Sequence, residues 1–239
     1  MGEALGATMR RDGIELVLGA TVTSTRREGE DFVLEFTDGR ELRGDRLLVA
    51  TGRRPRVRGL GLRTAGIDEN PHGIRVDQRL SAGPGLWAIG DVNGLWPLTY
   101  VVKYQGEIVA ANILGGKREA HYDAVPRVVF TYPQAASVGA SAGRFSATAR
   151  IVDNPRNATY TRAYAESNGF LTLLSDGDRL TGAYAFGPEA GEWLQQATLA
   201  IRARVPLGVL RDTIQPFPTF SEMYVSALKT LHVRITAGR

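Results

Sequence analysis

The sequence contains no cysteine. A structural disulfide, a thiolate metal site and a redox-active dithiol are therefore excluded within these 239 residues. No apolar run approaches the roughly 18 residues that cross a membrane, and Met1-Gly2-Glu3-Ala4 opens no secretory signal. The expectation is a cytoplasmic protein with no membrane partner. The three histidines, His72, His121 and His232, lack the spacing of a ligand set, so no metal site is expected. A Gly-rich phosphate loop is missing in usable form as well. Gly59-Leu60-Gly61-Leu62 begins like one, but it follows a Pro/Arg loop instead of a strand and runs into Arg63-Thr64.

What is present suffices for one large domain or two small ones, with 43% hydrophobic residues. The net charge of +4 is carried almost entirely by arginine. Arg53, Arg54, Arg56 and Arg58 form a cluster that could suit phosphates but reads more simply as a solvated basic face. No aromatic residues interleave with it, which argues against nucleic acid as a partner.

Along the chain, residues 2–11 read as a helix ending near Gly13, and Ile14 to Leu18 as a strand. Antiparallel pieces follow at Ala20 to Ser24 and Phe32 to Phe36, with Asp38-Gly39 as a hairpin turn. Leu47 to Ala50 reads as a parallel strand, residues 56–77 as a Gly- and Pro-rich connector, and Tyr100 to Leu114 as a helix stopped by Gly115-Gly116. From about Tyr122 the pattern changes to strands and hairpins with two helices, a separate domain. Within it, residues 169–174 and 180–186 flank Ser175-Asp176-Gly177-Asp178 as a hairpin, and Glu189 to Ala203 is amphipathic.

Leu86-Trp87-Ala88-Ile89-Gly90-Asp91 is the most informative stretch. A short apolar run, read as a buried parallel strand, delivers a glycine and a carboxylate to its end just ahead of a helix, which is a place to hold a ligand. Asp91 alone reads equally well as a local turn or N-cap carboxylate. Its company is more specific: Ala50-Thr51-Gly52-Arg53-Arg54-Pro55 upstream, and Leu98-Thr99-Tyr100 through Gln105-Gly106 downstream. Further on lie Pro126 to Pro133, Ala136-Ser137-Val138-Gly139, Gly182 to Pro188 and Pro218-Thr219-Phe220-Ser221-Glu222.

Together these segments resemble the pyridine nucleotide-disulfide oxidoreductases, the two-dinucleotide-fold flavoproteins related to glutathione reductase, dihydrolipoamide dehydrogenase, mercuric reductase and soluble transhydrogenase. The resemblance implies an α/β plus α+β fold: a partial NAD(P)/FAD-binding doubly wound fold followed by an α+β dimerisation domain. Residues 1–57 would be the C-terminal half of the NAD(P)H-binding domain, 58–121 the returning FAD-binding segment, and 122–239 the interface domain of a homodimer. It further implies FAD and NAD(P)H as cofactors. Asp91 would bond the flavin's ribitol, Gly90 would allow the approach, and Leu98, Thr99 and Tyr100 would line the flavin's pyrimidine edge. By the same resemblance Thr51, Gly52 and Arg53 would be cofactor-binding residues in the turn that closes the NAD(P)H domain.

The resemblance also marks departures. A complete member carries two Gly-rich fingerprints and a redox cysteine pair ahead of the region matched here. Phe217 stands where the family's H-P-T-x-x-E motif has its histidine, and a phenyl ring transfers no proton. Glu222, the motif's carboxylate, remains a candidate catalytic residue, but Thr219 to Glu222 also reads as a capping box. The electron acceptor is accordingly expected to be a small molecule other than a dithiol: a quinone, a dye or another nicotinamide. The isolated chain is expected to be inactive. Two other classes fit parts of the sequence, a non-catalytic dimerisation module or truncated remnant, and a serine hydrolase built on Gly139-Ala140-Ser141-Ala142-Gly143 with Ser141 as nucleophile.

Overall fold

The computed structural model describes residues 1–153 and 167–238. The chain divides into two compact units, one of Glu15–Ala120 and one of Met1–Ile14 with His121–Arg239. Its first helix, α1 (Gly2–Arg11), belongs to the latter unit, where Asn168 Nδ2 donates to Ala4 O at 3.0 Å.

In the unit of residues 15–120, β1 (Val22–Glu28), β2 (Asp31–Phe36) and β3 (Glu41–Gly44) form an antiparallel sheet in that order. The turn at Asp38-Gly39 forms as expected, with Gly39 at φ +81° and its N–H donating to Phe36 O at 3.0 Å. Val33 and Phe36 are the buried residues of β2. The strands expected at Ile14 to Leu18 and Leu47 to Ala50 do not form. Leu48 is 89% exposed and Val49 70%. A parallel strand needs a neighbour brought alongside by a crossover, and among the described residues none is offered to this segment.

A second correction concerns Leu86–Trp87 (β5), which pairs antiparallel with β4 (Ser81–Gly83) instead of lying in a parallel sheet. The cause is local. Asp77 Oδ1 accepts from the N–H groups of Arg79 at 2.8 Å and Ser81 at 2.9 Å, so the chain folds back and presents the nearest edge. The connector is no loose loop, because Val57, Leu62, Ile74 and Ala88 make a small core under it. Helix α2 (Thr99–Ile113) follows and ends at Leu114, with Gly115 at φ +90° just beyond.

The other unit is built on a five-stranded antiparallel sheet: β6 (Arg127–Val129), β7 (Gln134–Gly139), β8 (Phe145–Arg150), β9 (Phe170–Ser175) and β10 (Leu180–Gly187), in the order β6-β7-β10-β9-β8. The β9–β10 hairpin is the one its turn residues predict. Besides α1, the described residues of this unit include α3 (Ala190–Trp193), α4 (Gln195–Arg202), α5 (Leu207–Asp212) and α6 (Met223–Ala237). The expected helix of residues 189–203 is thus two pieces that meet at Leu194. Val138, Leu171, Leu173, Leu194, Met223, Tyr224 and Leu231 are completely buried between sheet and helices. Ser141 lies exposed between two strands, β7 and β8. A nucleophile elbow requires a strand and then a helix, so the hydrolase reading lacks its framework.

Candidate functional site

Asp91 sits in a single 3-10 turn, Gly90–Asn93, directly after the β4–β5 ribbon. Gly90 takes φ +76°, and a Cβ there would come within 3.0 Å of Val102 Cγ2, so the turn can close only on glycine. What fixes its orientation is a pair of buried amides. Gln105 is fully buried on α2, and its Oε1 accepts from Gly90 N–H at 2.7 Å and from Asn93 Nδ2 at 3.1 Å. Asn93 Nδ2 also donates to Ala88 O at 3.1 Å, while its Oδ1 accepts from Leu95 N–H at 3.0 Å. Buried polar groups are tolerated when they satisfy one another, and a satisfied network permits one arrangement of the backbone it spans.

A second clamp comes from the preceding connector. Ile74 N–H donates to Val92 O at 2.8 Å, and Gly73, at φ +118°, lies so close that a Cβ would stand 2.6 Å from the carbonyl carbon of Asn93. This contact brings His72 to the same side as Asp91. The Asp91 carboxylate then meets Arg53: Nη2 lies 2.7 Å from Oδ2, and Nη1 donates to Pro97 O at 2.9 Å. The two side chains are 66% and 44% exposed, so the pair adds little stability and serves mainly to orient. The carboxylate thus meets an arginine far along the chain.

Arg53, Arg54, Pro55, His72, Asp91 and Pro97 line a cavity of about 510 Å³. Asp91 offers it an acceptor, and Arg53, Arg54 and His72 supply donors. Of the residues expected at a site, Arg53, Gly90 and Asp91 are brought together. Thr51 and Gly52 lie exposed in the irregular segment before Arg53, with Gly52 at φ +123°. Leu98 caps α2 and Thr99 and Tyr100 form its first turn, following Pro97 without lining the cavity. Arg54 was visible in the arginine cluster, whereas the placement of His72 had no signal. Gln105 did have one: with Val101 and Ile108 it stands at i, i+4 and i+7 on the buried stripe of α2, where a polar side chain requires partners.

At the C-terminal motif, Phe217 is 61% exposed. The expected capping box is absent. Thr219 Oγ1 donates to Pro216 O at 2.7 Å, and no side-chain cap bond forms at Thr219. The helix begins there as a 3-10 turn, and the nearby carbonyl takes the hydroxyl. Glu222 Oε2 is buried with no hydrogen-bond partner among the described residues. No group of three His, Cys, Asp or Glu side chains capable of holding a metal occurs among the described residues. No helix among them is long and apolar enough to cross a membrane.

One unit presents a carboxylate after a glycine turn and ahead of a helix, and the other is an α+β unit on an antiparallel sheet. Comparison with known proteins makes this specific. Residues 1–108 match the family profile described as pyridine nucleotide-disulphide oxidoreductase, and residues 125–228 match the profile of that family's dimerisation domain. The chain belongs to the pyridine nucleotide-disulphide oxidoreductase family. It is 38% identical to a mercuric reductase of Acidithiobacillus ferrooxidans over 96% of this chain and 43% of that protein. With a dihydrolipoyl dehydrogenase of Chlamydia muridarum it shares 36% identity over 91% of this chain and 48% of the relative. Among solved structures, the Cu(II) complex of the HOCl-induced flavoprotein disulfide reductase RclA from Escherichia coli aligns with a TM-score of 0.83 at 26% identity, covering 96% of this chain and 54% of that one. The chain spans about half the length of the curated relatives it matches.

Proposed function

We propose that this chain is the C-terminal half of an FAD-dependent NAD(P)H oxidoreductase. In this reading residues 1–57 complete an NAD(P)H-binding domain, residues 58–121 return to the FAD, and residues 122–239 form the interface of a homodimer in the cytoplasm. The observation that carries it is the fixed presentation of Asp91 to a cavity by two buried amides. The residues present fit the polyol portion of FAD: a carboxylate with an oxygen beyond its arginine contact accepts hydroxyl donors, and the glycine turn leaves no side chain between them. When bound, FAD supplies the acceptor for a hydride from NAD(P)H and the donor to a second substrate.

Around it the protein's own residues have distinct tasks. Gly90 opens the approach, Asp91 orients by accepting hydroxyl protons, and Arg53 holds the Asp91 carboxylate in place. Behind the N-cap Leu98, Thr99 and Tyr100 begin a helix of 15 residues whose N-terminal dipole favours negative charge nearby. Thr51 and Gly52 precede Arg53 in the segment that would face the nicotinamide side. The second substrate is proposed to be a small-molecule acceptor other than a dithiol, because Phe217 cannot relay a proton to a thiolate. With Phe217 in the motif, Glu222 has no imidazole partner from this segment. Self-association is supported by the exposed apolar side chains of the second unit: Phe130 and Tyr132 at 78%, Ile214 at 94% and Phe217 at 61%.

Co-expression with the N-terminal half of the Acidithiobacillus ferrooxidans mercuric reductase tests the proposal. The expected result is a co-purifying complex with flavin absorbance that oxidises NAD(P)H in the presence of a quinone. A complex that forms but holds no flavin would overturn it.

A further inference from the structure

A second cavity lies wholly within the unit that carries the antiparallel sheet, and nothing in the oxidoreductase reading uses it. It has a volume of about 460 Å³, within the range of small-molecule sites. Its apolar wall is made by Leu207 of α5 and by Leu228, Leu231 and Ile235 of α6, each no more than 8% exposed. The mouth is polar, with Arg211, His232, Thr236 and, from the β9–β10 turn, Asp178. Arg211 Nη1 lies 3.1 Å from His232 Nδ1. With Arg211 as donor, Nδ1 is the accepting nitrogen and the imidazole carries its proton on Nε2, a second donor. Among the described residues no carboxylate stands within ion-pair distance of Arg211.

We infer that this cavity binds a monocarboxylate with an apolar chain, such as a medium-chain fatty acid: the chain lies against Leu207, Leu228, Leu231 and Ile235, and the carboxylate is held by Arg211 with His232. The chemistry follows from the pairing of surfaces. An apolar wall gives affinity without direction, and a planar guanidinium whose present partner is a neutral ring takes a carboxylate bidentately. Hydroxyl analogues of equal length fill the same wall but give the guanidinium no charge to meet.

The test uses the whole chain and two probes, decanoate and decanol, titrated by calorimetry and by amide chemical-shift mapping. The expected result is saturable decanoate binding with shifts confined to α5, α6 and the β9–β10 turn, and decanol binding at least about tenfold more weakly. Arg211→Gln should weaken decanoate by about tenfold or more and leave decanol unchanged. Both Arg211 and Thr236 are exposed, so Arg211→Gln and an obstructing Thr236→Trp should keep the helical circular dichroism of the parent. Thr236→Trp should remove the binding of both probes. Absence of saturable binding, equal affinity of the two probes, or shifts centred on Phe130 and Tyr132 instead of the cavity would each overturn the inference.

Discussion

Tyr224→Phe removes a single oxygen from the best-packed part of the chain. The ring is fully buried, and its hydroxyl donates to Trp193 O at 3.0 Å and accepts from Ala197 N–H at 3.2 Å. In an unbroken helix Ala197 N–H would bond Trp193 O directly, so the hydroxyl is an insertion in the ladder at the junction of α3 and α4. Without it two buried backbone groups lose their partner, at about 1–3 kcal/mol each, less whatever the helix regains by closing the direct bond. The expected loss is about 2–4 kcal/mol. Burial also pushes the Tyr224 phenol well above its ordinary value, against the opposing hydrogen bond from the Ala197 amide. A folded-state pKa above the unfolded one makes a contribution that is whole below about pH 10 and is lost as pH rises from there toward the folded value, by at most about 1.4 kcal/mol per pH unit. Urea unfolding of both proteins near pH 7 and near pH 11 reads both effects: the parent should lead by about 2–4 kcal/mol at the lower pH and by about 1.4 kcal/mol less at the higher. A difference under about 0.5 kcal/mol near pH 7, or one that does not change with pH, would refute the role assigned to the hydroxyl.

Gln105→Leu should orphan the Gly90 amide and one Asn93 donor and lower stability by about 2–4 kcal/mol; a chemical melt showing a loss under about 0.5 kcal/mol would show that the bonds do not matter. Because the Thr219 hydroxyl bonds Pro216 O and not a helix amide, Thr219→Ala should cost less than about 1 kcal/mol, and a larger drop in the unfolding midpoint would reinstate a cap. Glu222→Gln removes charge from a carboxylate with one buried, unpartnered oxygen, so its thermal midpoint should not fall. In sedimentation the chain should run as a dimer at micromolar concentration and as a monomer once Phe130→Glu and Phe217→Glu are combined; a parent that is strictly monomeric would contradict the interface reading.

Elements whose signals are local are legible in the amino-acid sequence. Gly115 past the apolar stripe of α2 marks its end, and Asp176-Gly177 marks the β9–β10 hairpin. The Gly90-Asp91 turn is legible for the same reason, since a glycine after an apolar run has few uses. What escapes depends on partners far along the chain. Leu47 to Ala50 reads as a strand, yet a parallel ladder exists only if another segment supplies it. No spacing rule ties Arg53 to Asp91 or carries His72 beside them, because those contacts are made by the connector core of Val57, Leu62, Ile74 and Ala88. The break at Leu194 is likewise invisible locally, as the oxygen that bridges it belongs to α6. At Thr219 two local rules compete, and the bond to Pro216 O prevails over the cap.

The role of Asp91 is the centre of the account, and flavin occupancy measures it most directly. In the complex assembled with the relative's N-terminal half, the flavin-to-protein ratio should be near one for the parent. Asp91→Ala should raise the flavin dissociation constant by about tenfold or more, the worth of a charge-assisted hydrogen bond, with the unfolding midpoint of the apoprotein little changed because the Arg53 pair is exposed. Flavin retained by Asp91→Ala with the affinity of the parent would contradict the assignment of this turn as the cofactor's anchor.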